Sequence, residues 1–105
     1  MSFTGNENHS ISLEEASKLT ANYRKSAGED AVIAGFVGKT AIENIINQAD
    51  CVGIRFYFGQ HDDGKPDLVL VGAKANMGDL IDGIITERLI PCPPNCAPAN
   101  VLNSD

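Results

Sequence analysis

The side chains of this sequence best suited to metal or redox chemistry are Cys51, Cys92, Cys96, His9 and His61. Two of the cysteines frame a proline pair, Cys92-Pro93-Pro94-Asn95-Cys96. A structural zinc site takes four ligands at ~2.0–2.3 Å, and its strong signature is a pair of C-x2-C units. Here there is one C-x3-C, so zinc on Cys92, Cys96 and Cys51 would still need His9 or a second chain. His61 cannot join that set. Cys51 opens an apolar run expected to be a strand and His61 follows it, so they lie roughly 30 Å apart at about 3.3 Å per residue. The returning strand could still bring the tail back to Cys51. Thioredoxin-like chemistry wants C-x-x-C at a helix start, whereas prolines fill this interval and Pro98 follows soon after. A Cys92–Cys96 disulfide suits the tight spacing but not a reducing cytosol. The most economical reading is a proline-stiffened extended tail whose cysteines pack as small hydrophobes near Cys51, with no cofactor.

Other motifs invite chemistry and fall short of it. Gly38-Lys39-Thr40 matches the end of a phosphate-binding loop, but the first glycine of that motif would be residue 33, where Ile33 stands. Thr40 is instead expected to cap a helix, whose bare amides would attract an anion weakly. The stretch His61-Asp62-Asp63-Gly64-Lys65-Pro66-Asp67 lacks the spacing of a calcium loop and reads as an exposed turn. No serine-hydrolase, zinc-protease or dinucleotide-binding pattern is present, which leans against an enzyme and leaves the question open. Arg55 and Tyr57, on one face of a strand, are the best candidate ligand pair, and an enzyme acting on a small anionic ligand would use Arg55 with Lys39 and the helix start at Thr40. An arginine in an apolar strand must reach a carboxylate or solvent, and pairing with an acid such as Glu87 is the simpler outcome.

Composition narrows the classes. The chain has 105 residues, eight basic against fourteen acidic, and a net charge of −6. Arg24-Lys25 is its densest basic pair, which argues against nucleic acid and against anionic membrane surfaces as partners. The first ten residues show no signal-peptide pattern and no run approaches a membrane span, so a cytoplasmic setting is expected.

The elements that must position these residues are well marked. Ser12 and Glu15 form a capping box, and Leu13, Ala16, Leu19 or Thr20, and Tyr23 recur at helical spacing up to Gly28, predicting a helix over 12–27. The segment 30–38 reads equally as helix or strand. Thr40 and Glu43 form a second capping box, and Ile42, Ile45, Ile46 and Ala49 mark a helix over 41–48. Residues 51–59 and 68–75, rich in β-branched and aromatic side chains, predict a hairpin. With Asp63-Gly64 as a two-residue turn, Phe58 faces Val69, Phe56 faces Val71 and Ile54 faces Ala73, although Pro66 would loosen the tip. One more strand is expected over 83–89.

The fold class that follows is α+β: two or three helices on a small antiparallel sheet built around a central β-hairpin. Residues 1–10 read as a polar arm and 11–105 as a single domain that includes the tail.

From Ile11 to Leu102 the chain resembles a family of small bacterial proteins of unassigned function. The resemblance rests on the amphipathic first helix, the GIRFYFG strand from Gly53, the LVLVG strand after an Asp-Gly turn, and the CPPNC segment with Asn103 behind it. It carries over no catalytic role and implies that the tail motif belongs to the domain. The functional expectation is therefore a non-enzymatic interaction or ligand-binding module, a homodimer or the partner of another protein, meeting its partner through the sheet face or through 31–37. The alternative is a metal-binding or thiol-dependent domain using Cys92 and Cys96.

Overall fold

The computed structural model describes residues 2–105. Among the described residues it contains two helices and two small antiparallel sheets, an α+β fold. In order these are α1 (Leu13–Ala27), β1 (Ala34–Phe36), α2 (Lys39–Ile46), β2 (Gly53–Gln60), β3 (Pro66–Ala73), β4 (Ile85–Thr86) and β5 (Ile90–Cys92). They gather into two compact units, one of Asn8–Phe36 with Ile90–Asp105, the other of residues 2–7 with Val37–Leu89.

The first unit contains α1 and the β1–β5 pair. Ser12 caps the helix as its spacing implies, its Oγ accepting the Glu15 N–H at 3.0 Å, and Gly28 ends it at φ +87° with its N–H on Arg24 O. The covered face runs along Ala16, Ser17, Thr20, Ala21 and Arg24, while Leu13, Leu19 and Tyr23 stay exposed. The small side chains of the expected stripe therefore pack, and its large ones do not. The undecided segment 30–38 is extended at its centre: β1 pairs with β5 in the register Ala34↔Cys92, Gly35↔Pro91, Phe36↔Ile90. Arg24 ties the chain end to α1, donating to Leu102 O at 2.7 Å and to Asp105 Oδ1 at 2.9 Å.

The second unit is built on a three-stranded sheet in the order β2-β3-β4. The hairpin forms where the sequence implies, but its register differs by one residue. Phe58 faces Leu68, Phe56 faces Leu70 and Ile54 faces Gly72. The cause is the connection. Residues 61–65 form a five-residue loop closed by His61 N–H on Lys65 O and Gly64 N–H on His61 O, both at 2.9 Å. Gly64 takes its positive φ of 91° inside that loop, not in a two-residue turn. β3 is the central strand and is buried through its second half, at Leu70, Val71, Gly72 and Ala73.

Two further expectations are corrected. The helix α2 starts at Lys39 with Gly38 at its N-cap, so Thr40 lies inside the first turn and caps nothing. The strand expected over 83–89 shortens to Ile85–Thr86, because the chain turns at 80–83, where Gly83 N–H reaches Leu80 O at 3.0 Å. Gln48 fixes that turn to the end of α2, donating to Ile45 O at 2.9 Å and accepting the Ile84 N–H at 2.8 Å. The N-terminal arm is less polar in its contacts than in its composition. Phe3 N–H reaches Ala75 O at 2.8 Å, and the Phe3 ring lies 5.4 Å from the Arg55 guanidinium carbon.

Gly72 marks where β3 and its cover approach most closely. A Cβ there would lie 2.9 Å from Leu80 Cδ1, 3.0 Å from Gln48 Nε2 and 3.1 Å from Cys51 Sγ. Alanine in a strand gains about 0.5–1 kcal/mol over glycine, but overpacking costs about 1–3 kcal/mol. Three neighbours must move at once, so the cost prevails. Gly72→Ala is expected to lower the thermal midpoint in calorimetry; an unchanged or raised midpoint would show that the site has room.

Candidate functional site

Asp79 is the hub of the clearest polar constellation. Strand β2 projects Arg55 and Tyr57 from one face, since alternate residues share a face. The turn at 74–78 brings the next strand-like residue, Asp79, opposite Ala73. Arg55 pairs with Asp79 Oδ1 and the Tyr57 hydroxyl donates to Asp79 Oδ2. Arg55 also donates to Met77 O at 3.0 Å. The carboxylate is held below its usual range, first by the Tyr57 hydroxyl and then by Arg55. The Tyr57 phenol is raised, chiefly by its hydrogen bond to Asp79.

The structure thus gives Arg55 an acidic partner, as a strand arginine requires, but the partner is Asp79 and not Glu87. Its charge is met within the fold, so an external anion would have to compete with Asp79. Lys39 and Thr40 lie on α2, where the Lys39 ammonium is 3.8 Å from Glu43 Oε1. No hydrogen bond or ion pair joins them to Arg55 or Tyr57 among the described residues.

The cysteines are divided. Cys92 and Cys96 form a disulfide, their Cα atoms 4.8 Å apart and thus within bridging reach. The extended tail expected from the prolines is instead a turn: both X-Pro bonds between the cysteines are cis, and Asn95 N–H donates to Pro91 O at 3.0 Å. Cys92 is buried and Cys96 exposed. While the bond holds, neither sulfur is a thiolate available to a metal. Cys51 is free, its thiol on Gly53 O at 3.2 Å.

A third cluster draws His61 and Asp67 from the stretch that reads in sequence as an exposed turn. His61 Nε2 lies 2.9 Å from Asp67 Oδ2 and 3.6 Å from Glu87 Oε1. His61 closes the end of β2, Asp67 is the second residue of β3, and Glu87 follows β4. The imidazole pKa is raised, first by the hydrogen bond to Asp67 and against the effect of desolvation. Burial pushes Asp67 up, but its hydrogen bonds with His61 and the Leu68 amide oppose this, and the group is left lowered. The signal available in sequence was the loop-flanking pair His61 and Asp67, which any hairpin brings together. Glu87 carried no such signal, because its place depends on how far β4 extends.

Comparison of the chain with known protein families, with curated proteins and with solved structures finds no match.

Two tests follow from these geometries. Asp79 titrates below its ordinary 3.8 in the fold, so its stabilisation is complete above the unfolded value and is lost as pH falls through the lowered one. Thermal unfolding across the acid range should show a shallower acid limb in Asp79→Asn. Ultraviolet titration should also show the Tyr57 phenol moving back down toward 10.0 in that variant; identical curves for the two proteins would break the hub. Separately, thiol titration of the unreduced, denatured chain should find one thiol, Cys51, and three after reduction. Three thiols before reduction would show that the bond does not form.

Proposed function

We propose that this protein is a non-enzymatic interaction module that associates with a second copy of itself along the free edge of β2. The observation that carries the reading is the edge itself. β2 is eight residues long and outermost in its sheet, and outside the β2–β3 ladder no backbone group of 54–60 has a hydrogen-bond partner among the described residues. Unpaired N–H and C=O groups in a row form a template for another strand.

The strand also lacks the usual protections. It has no proline, and its one charge, Arg55, is neutralised by Asp79. Phe58 is 91% exposed, with Phe56 and Tyr57 about half exposed beside it. A second copy is favoured because Gly53-Ile54-Arg55-Phe56-Tyr57-Phe58-Gly59 is nearly symmetric about Phe56. Antiparallel pairing on that centre sets Ile54 opposite Phe58, Arg55 opposite Tyr57, and glycine opposite glycine. Such an isologous contact closes as a dimer.

No described helix is long and apolar enough to cross a membrane. In the cytoplasm, the compartment expected from the sequence, the Cys92–Cys96 pair would be held as two thiols; an oxidising compartment would preserve the bond. That bond also supports the alternative of a thiol-based role at the tail, with exposed Cys96 as the accessible sulfur.

Size-exclusion chromatography with light scattering over a wide concentration range decides the main reading. The expected result is a dimer that Phe56→Lys/Phe58→Lys converts to a folded monomer. A strict monomer throughout, or a dimer indifferent to both lysines, would overturn it.

A further inference from the structure

We propose that His61, Asp67 and Glu87 form a binding site for a divalent transition-metal cation, with zinc as the reference ion, at the base of the β2–β3 loop. These residues supply one imidazole nitrogen and two carboxylate oxygens, all within 4.8 Å of one another. Donors arranged tetrahedrally at bonds of ~2.1 Å sit about 3.4 Å apart, so small side-chain adjustments bring all three onto one ion. A mixed imidazole and carboxylate set suits first-row divalent cations and not a soft thiolate-seeking ion.

Three independent observations favour a cation over an ordinary surface cluster. Glu87 Oε1 is buried and has no hydrogen-bond partner among the described residues. A buried carboxylate oxygen left without a hydrogen bond is costly, and a metal bond would satisfy it. Second, no lysine or arginine forms an ion pair with Asp67 or Glu87 among the described residues, although Lys65 and Arg88 are near in sequence. Among the described residues, the imidazole is the only basic side chain in ion-pair range of these two carboxylates. Third, the ligands come from positions of limited freedom. Asp67 lies within β3 and also accepts the Leu68 N–H at 2.8 Å, while Glu87 directly follows β4.

Access comes from His61, about half exposed at the protein surface. Three protein ligands leave at least one coordination position to water or to an exogenous donor, the arrangement of an open site and not of a closed structural one. The ion would displace the His61–Asp67 hydrogen bond, because both atoms would then face the metal. It would also bridge His61, at the start of the β2–β3 loop, to Glu87, which follows β4.

The test is isothermal titration of the metal-free, full-length protein with zinc chloride, combined with NMR of the histidine side chains. Binding of one ion per chain should shift the His61 resonances and leave those of His9 unmoved. Glu87→Gln and His61→Gln, each confirmed as folded by circular dichroism, should weaken binding by at least about tenfold, the loss that follows removal of even an outer partner of a metal ligand. Cys51→Ser should bind as the parent does. No binding, binding unchanged in Glu87→Gln, or binding lost in Cys51→Ser would each overturn the assignment.

Discussion

The five-residue connection between β2 and β3 is the constraint on which the second unit depends. Side chains alternate across a strand with a period of two, so a change of one residue in register reverses every cross-strand partnership. Closing 61–65 through His61 N–H on Lys65 O sets Arg55 opposite Val71 and Tyr57 opposite Val69. Asp79, bridged to Ala73 at the far end of β3, then meets Arg55 and Tyr57 together. The same closure brings His61 back across the loop to Asp67. Both polar constellations of this unit therefore descend from one loop, at opposite ends of one hairpin.

β3 converts that local register into a core. It is bonded on both edges, to β2 and β4, and its second half is buried at consecutive residues, Leu70 and Val71, which face opposite sides. A strand covered on both faces needs a continuous apolar run, and Leu68-Val69-Leu70-Val71 supplies one. Gly72 extends the run with no side chain because Leu80, Gln48 and Cys51 occupy the space above it. Gln48 contributes polar closure at the same place, satisfying the Ile45 carbonyl and the Ile84 amide with one carboxamide. β2, in contrast, is covered unevenly, which leaves aromatic surface along an edge with unpaired backbone.

What could be read in the sequence was what local chemistry decides. Ser12 and Gly28 bound α1 within a residue because capping and a left-handed stop act over one turn. Thr40 misled for a related reason: S/T-x-x-E marks a helix start only when the preceding residue leaves the helix, and here Lys39 is already helical. The hairpin was legible as two apolar runs, but its register was not, since Asp63-Gly64 is compatible with a two-residue turn and with a longer loop alike. Arg55 required an acid, and strand chemistry says so; which acid depended on the turn at 74–78, a tertiary matter. A reducing compartment argues against pairing Cys92 with Cys96, whereas the turn between them brings their Cα atoms within disulfide reach.

Charge balance explains why the unmet carboxylate sits where it does. Fourteen acidic side chains share eight basic ones, so some carboxylates find partners other than Lys or Arg. Glu7 takes backbone donors, the amides of Thr4 and Gly5 at 2.8 and 2.9 Å, and is lowered chiefly by the Thr4 amide. Asp79 takes a guanidinium and a phenol, one on each oxygen. Asp67 takes an imidazole and an amide, which leaves the neighbouring Glu87 with only a 3.6 Å approach to that same imidazole and one oxygen without a donor. One ring nitrogen cannot direct its single proton at two carboxylates, whereas a divalent cation carries enough charge and has enough coordination positions for both. The cluster on the hairpin is thus the place where the acidic excess of the chain becomes a local imbalance, and where a cation would restore it.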